Sequence, residues 1–405
     1  MAVSLAQEFN LNIPTALLDN DCIIVADPQQ DMRMIIVHQL QKLQFKQIIQ
    51  CRDGMDVLET LRKMEVAAII CTMSLPDMDG LELLGEIRED VDINRPPFCL
   101  AMEQVSKDKL MHAVETGVDE ILVKPFTLGD IAPKLRKAFK TFHNPRNPEK
   151  VYELAKDKLR SKLTDEAEKI YTRLSESAPN SARPLVGLAK VAHSRKDFDK
   201  GFELLQKAQE KNEQYVHIYG LRGDLYLAQG DYDSGIAAYR HAIGMSPLNP
   251  NRYKKAGDAL LGQSRFQEAA DILKGALTKK VHFKELYDFL SRAHYNLKDY
   301  ENSAKYIRRA VEKEPENITY LNQLALSLKE CGDLEEAKKF YNKVIKLDPD
   351  NKQALFNKAI MLAQSHKELD AIKILERLVK KYPDFEKGAK KIDELKSQLE
   401  LKEGA

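Results

Sequence analysis

Two hydrophobic rhythms divide this chain of 405 residues. From Cys22, short runs rich in Ile and Val alternate with stretches whose apolar residues recur every three or four positions. The runs predict strands at 22–27, 47–51, 67–72, 97–102 and 120–123, and the stretches between them predict helices at about 31–43, 54–64, 79–89, 106–116 and 128–142. Strands alternating with helices pair in parallel through βα crossovers. Residues 21–143 are therefore expected to form a doubly wound α/β domain with a five-stranded parallel sheet, behind an N-terminal extension at 1–20. In such sheets the functional crevice lies at the carboxyl ends of the strands.

Beyond Pro148 the rhythm is helical throughout, and it repeats every 34 residues. Pro179, Pro247, Pro315, Pro349 and Pro383 share one rung, and Glu213 and Val281 fill the two rungs without proline. Twelve residues before each rung stands a small residue: Ala167, Gly201, Gly235, Ala269, Ser303, Ala337 and Ala371. Seven units thus stay in phase over residues 148–385 without an insertion, the signature of a solenoid rather than a single core. Each unit has room for two helices and two short turns. Small residues let the paired helices approach, and a proline after the second helix stops it. Residues 144–148, with two prolines, read as a linker, and residues 386–405 as a capping helix with Ile392, Leu395 and Leu399 on one side.

Charge changes the picture only a little. The net charge is +1, but residues 1–143 carry −7 and the remainder +8, without the dense basic run and interleaved aromatics of a nucleic-acid site. No apolar run approaches the roughly 18 residues of a membrane span, and no signal peptide opens the chain, so a cytoplasmic protein is expected. The five cysteines show no zinc spacing and read as small buried hydrophobes in a reducing compartment. There is no phosphate-binding glycine loop, G-x-S-x-G or H-E-x-x-H, so no enzyme is expected, and neither a metal nor a cofactor.

The repeat unit that spells its pattern most fully, with Gly223, Tyr226, Gly230, Tyr232, Tyr239, Ala242 and Pro247, resembles the tetratricopeptide repeat. The resemblance implies an all-α superhelix whose concave wall, formed by the first helix of each pair, binds a peptide or helix of a protein partner. Carrying over its groove positions gives Tyr152, Lys156, Arg183, Lys190, His217, Lys254, Arg292, Tyr295, Asn322 and Phe356, a mix suited to a ligand with some acidic character. The Lys/Asn/Arg set with which some members clamp a C-terminal carboxylate is not found, since Asp258 follows Lys254 where an Asn would be needed. Asp224, Asp258 and Asp288 on the same wall argue against an RNA ligand.

CIIVADPQQDMR, LPDMDGLELL and VKPF resemble, at these separations, the receiver domain of bacterial response regulators, which has the flavodoxin-like fold. In that family an aspartate ending the third strand attacks phosphorus and becomes an acyl phosphate. The matching position here is Thr72, a poor nucleophile without an adjacent base. Of the two acidic residues that hold Mg²⁺, only Asp27 matches, the other position being Pro28. Met102 replaces the phosphoryl-gripping Ser/Thr and Ile121 the switch aromatic, while Lys124 alone matches cleanly. The resemblance therefore implies a pseudo-receiver, the alternatives being a surrogate acceptor such as Asp77 or Asp79 or another use of Thr72; Asp79 suits a helix N-terminus better, and Lys124 is free to pair with Asp27. It implies as partners a histidine kinase or another response regulator, and a homodimer through residues 106–140, the fourth and fifth helices and the strand between them. The expected function is a non-catalytic signalling adaptor in a two-component pathway. The alternative is a response regulator of a phosphorelay, with the repeats as its phosphorylation-controlled output.

Overall fold

The computed structural model describes residues 22–90, 96–143 and 148–403. The expected N-terminal extension and residues 144–147 of the expected linker lie outside these. Pro148, counted above both with the linker and with the first repeat, is the first residue of a helix, a position that needs no N–H and suits the fixed φ of proline.

Strands β1 (Cys22–Ala26), β2 (Gln47–Cys51), β3 (Ala68–Thr72), β4 (Phe98–Met102) and β5 (Glu120–Val123) form one parallel sheet in the order β2-β1-β3-β4-β5. Between and after them come α1 (Gln30–Lys42), α2 (Gly54–Lys63), α3 (Gly80–Glu89), α4 (Lys107–Thr116) and α5 (Leu128–His143). Helices cover both faces. Ile23, Val25 and Ile70 pack with Ile36, Leu40, Ile131 and Leu135 of α1 and α5. Ile24, Ile69 and Leu100 pack with Val57, Leu61, Leu84 and Ile87 of α2 and α3. Burial on both faces is why β1, β3 and β4 read as unbroken apolar runs.

The differences from the expected elements fall at their ends and have local causes. Asp27 stands just past the end of β1, where its carboxylate accepts from the backbone N–H of Gln29. Asp79 and Ser106 stand just outside α3 and α4 because their side chains cap them.

By compactness the chain divides between Leu225 and Tyr226, inside the array rather than at its start. An array of nearest-neighbour contacts has no single core to mark its boundary. Up to the division lie α6 (Pro148–Arg160), α7 (Thr164–Ser177), α8 (Arg183–Ser194) and α9 (Phe198–Lys211); α10 (His217–Gln229) contains it. Beyond lie α11 (Tyr232–Met245), α12 (Pro250–Gly262), α13 (Phe266–Thr278), α14 (Leu286–Asn296), α15 (Tyr300–Lys313), α16 (Ile318–Glu330), α17 (Leu334–Leu347), α18 (Lys352–Gln364), α19 (Glu368–Lys381) and α20 (Glu386–Glu403).

The turn within each pair holds a left-handed residue, and these too stand 34 apart: Lys162, Lys196, Gly230, Ser264, Lys298, Gly332 and His366. Asp197, Asp231, Asp299 and Asp333 follow four of those turns and cap the second helix of their pairs. The small residues sit where the helices meet: Ala155 and Ala167 are fully buried, as are Ala359 and Ala371. At Gly187 even a methyl group would fall 2.4 Å from the Tyr171 ring. One junction is polar, with the Ser291 and Ser303 hydroxyls 2.9 Å apart and those of Ser303 and Ser327 2.8 Å apart. Ile392 and Leu395 of α20 close the last apolar cluster against Ala371, Leu375 and Leu378. No helix among the described residues is long and apolar enough to cross a membrane.

Four of the five cysteines are buried, and burial pushes the Cys51 thiol up to about 11. Cys331 departs from expectation: it is exposed at the end of α16, where the chain turns out through Gly332.

Candidate functional site

Asp27 follows β1, Thr72 ends β3, and Lys124 follows β5, so parallel pairing brings all three to the carboxyl end of the sheet. Asp27 is only 2% exposed. A carboxylate so buried is costly unless it is paired and hydrogen-bonded. Lys124 Nζ donates to Asp27 Oδ2 at 2.6 Å and to Thr72 Oγ1 at 3.1 Å. Asp27 Oδ1 accepts from the backbone of Gln29, and Arg33 donates to the backbone oxygens of Asp27 and Pro28. One carboxylate and one ammonium thus neutralise each other, with the threonine hydroxyl on the same ammonium.

A divalent cation does not fit this donor set. Pro28 offers no side-chain oxygen, and Lys124 holds both Asp27 Oδ2 and the Thr72 hydroxyl, whereas Mg²⁺ asks for near-octahedral oxygen ligands. Met102 is buried in the apolar cluster beneath α2, α3 and α4, and Ile121 packs against it. Neither offers a hydrogen bond to a phosphoryl group.

The two loop aspartates are engaged as helix caps. Asp77 accepts from the backbone N–H groups of Gly54 and Met55 at the start of α2, both at 2.9 Å. Asp79 accepts from Leu81 and Glu82 at the start of α3, both at 2.8 Å. The helix dipole favours negative charge at both places. Behind Asp79, Gly80 lies so close to β3 that a Cβ would stand 2.5 Å from the Thr72 carbonyl oxygen. The loop after Thr72 is therefore tied to two helices and to its own strand.

The groove positions separate by unit. In the first, Arg183 donates to both oxygens of Glu149, at 2.6 and 2.7 Å, and stacks 3.9 Å from the centre of the Tyr152 ring. Arg183 holds the Glu149 carboxyl below its usual range. Lys156 donates to Glu153 at 2.6 Å, Lys190 is exposed, and His217 lies against Tyr215 with ring centres 4.9 Å apart. In the second, Lys254 donates to Glu285 at 2.7 Å, and Arg292 lies 3.8 Å from Asp288, whose carboxyl is pushed up by burial. Tyr295 packs on Tyr300, Phe356 meets Phe385 edge-on, and the buried Asn322 donates to Asn351 at 3.3 Å. Lys156, Arg183, Lys254 and Arg292 are thus all matched by acidic neighbours, so the wall is less cationic than its sequence.

Residues 23–136 match the response regulator receiver domain family. Tetratricopeptide repeat families match residues 152–216, 221–280, 284–317, 318–351 and 353–384. The chain is a receiver domain followed by tetratricopeptide repeats. Among characterised relatives, the receiver is 29% identical over 117 residues to chemotaxis protein CheY-3 of Vibrio cholerae, which covers 29% of this chain and 90% of that protein. It is 28% identical to chemotaxis protein CheY of Pseudomonas aeruginosa, over 29% of this chain and 94% of that one. The repeats share their fold with the C-terminal part of a TPR repeat-containing protein from Cytophaga hutchinsonii: TM-score 0.50, 15% identity, 60% of this chain and 99% of that one. A second similar structure is YrrB, described as a TPR protein with an unusual peptide-binding site, at TM-score 0.42 and 22% identity over 46% of this chain and 95% of that one.

In the receiver, sequence reasoning missed Arg33 and the cap that Asp77 places on α2. In the repeats it missed the acidic partners. Of these, Glu149 carried a readable signal: it stands 34 residues before Arg183, at the same repeat position.

Proposed function

We propose that this protein is a non-catalytic signalling adaptor in a bacterial two-component pathway. A pseudo-receiver at 21–143 docks one component, and seven tetratricopeptide repeats at 148–385 bind a protein partner through the first helices of their pairs. The observation that carries the reading is Thr72, standing where a receiver needs its acceptor aspartate, with its hydroxyl and Asp27 both bound to Lys124. A threonine hydroxyl needs a base to attack phosphorus. The residue held against it is an ammonium, which cannot accept the proton.

The partner classes follow from the surfaces. Leu110, Val114 and Val123 expose 41%, 69% and 49% of their surface on α4 and β5, which supports docking of a second receiver or a kinase, a homodimer included. The charge-matched repeat wall supports a ligand bearing both signs rather than a strongly acidic one. We place the protein in the cytoplasm, binding neither nucleic acid nor membrane.

The test of the receiver is chemical. Incubation of the full chain with Mg²⁺ and a small-molecule phosphodonor is expected to leave its intact mass unchanged. Acid-labile addition of one phosphoryl group would instead establish the phosphorelay reading. For the repeats, Lys254→Glu and Arg292→Glu each place a new carboxylate beside an existing one, Glu285 or Asp288. Affinity capture from the native lysate with residues 144–405 as bait is expected to lose its partner with the double variant. Retention of the partner would remove those two positions from the binding wall.

A further inference from the structure

A side chain of the first repeat reaches the receiver. Arg160, the last residue of α6, donates from Nη1 to the backbone oxygen of Arg88 at 2.8 Å. Arg88 lies in the last turn of α3, where carbonyls have no partner within the helix and the dipole is negative. A guanidinium answers both needs, and its hydrogen bond to a neutral carbonyl is charge-assisted. Asp157, one turn earlier in α6, accepts from the same guanidinium nitrogen at 3.2 Å and holds it in place.

The receiving end of the contact is itself fixed. The Arg88 side chain donates to Asp119 at 2.9 Å and to the Pro96 carbonyl at 3.3 Å, and Asp119 also accepts from the Phe98 backbone at 2.8 Å. Thus the end of α3 is nailed to the starts of β4 and β5. At its other end α3 begins with the Asp79 cap and with Gly80 against Thr72. On the repeat side, α6 carries Tyr152 and Lys156 of the candidate wall.

We infer that Arg160 is a latch that fixes the receiver on the first repeat, so that the receiver and the opening of the repeat wall present one composite surface. The inference rests on the proposed role of that wall only for its functional meaning; the latch itself is a statement about geometry. It assigns α3, which runs directly from the receiver pocket to α6, as the element through which a partner bound at the pocket bears on the repeats.

The latch is tested in the full chain, with Cys331→Ser removing the exposed thiol and spin labels at Glu103→Cys and Glu176→Cys. Both label sites are exposed, one on the receiver and one in the first repeat. Pulsed electron–electron resonance is expected to give a single narrow distance distribution, which Arg160→Ala broadens at least twofold. Asp157→Ala, which loosens the guanidinium without removing it, is expected to broaden the distribution less than Arg160→Ala does. The latch is overturned by a distribution already broad in the parent, by one that Arg160→Ala leaves unchanged, or by equal broadening in Asp157→Ala. Because the readout is a distance, loss of partner capture by the repeats would overturn the adaptor reading without touching the latch.

Discussion

Lys124→Met is expected to destabilise the receiver by about 3–5 kcal/mol, because it leaves Asp27 buried without its cation. That is a large share of the stability of a domain this size, typically about 5–15 kcal/mol. The measurement is chemical denaturation of the full chain, with the receiver followed by a probe on its sheet. The double variant Lys124→Met with Asp27→Asn removes both charges and is expected to recover most of the loss. A single variant as stable as the parent would mean that water reaches Asp27 and that the pocket is open. On the proposed reading, the measurable task of this lysine is to keep one carboxylate buried.

The second large effect contrasts two leucines on the same rung of the ladder. Leu290 in α14 is fully buried among Leu273, Leu286 and Ala293, and Leu290→Ala is expected to cost about 2–5 kcal/mol. Leu154 holds the same place in the first repeat, 136 residues earlier, yet it is 49% exposed because no helix pair precedes it. Leu154→Ala is expected to fall within about 0.5 kcal/mol of the parent, as surface substitutions do. Hydrogen exchange resolves the two: loss of protection centred on 266–296 for Leu290→Ala, and none centred on 148–177 for Leu154→Ala. Equal losses would mean that the leading face of the first repeat is covered in solution.

Most of the receiver was legible in its sequence, because burial on both faces makes strands stand out as uninterrupted Ile and Val runs. Cys22–Ala26 and Ala68–Thr72 are the clearest cases. The array was legible because its small residues and prolines recur at a fixed period. Its turns were less so. Only Gly230 and Gly332 among the seven left-handed turn residues are glycines, while Lys162, Lys196 and Lys298 adopt the same conformation, so glycine does not mark those turns.

Among the candidate site residues, Asp27, Thr72 and Lys124 converge because strand order alone dictates where strand ends meet. The groove cations were harder to judge. Whether Arg183 is available to a ligand depends on Glu149, and whether Lys254 is depends on Glu285, residues 34 and 31 positions away. Side-chain pairing at that range is decided by how successive repeats stack. The same stacking brings Arg240 to Glu268, whose carboxyl Arg265 and Arg240 together hold down to about 2.

The neutral pocket around Lys124 also has a consequence for any attempt to install phosphoryl chemistry in it. Thr72→Asp alone would bring a second carboxylate to an ammonium already matched by Asp27, and it would do so without the second acidic group that Pro28 cannot supply. Pro28→Asp alone would add the same unmatched charge from the other side. Either single substitution therefore leaves surplus buried charge in the pocket. Engineering this pocket therefore calls for paired substitutions rather than single ones.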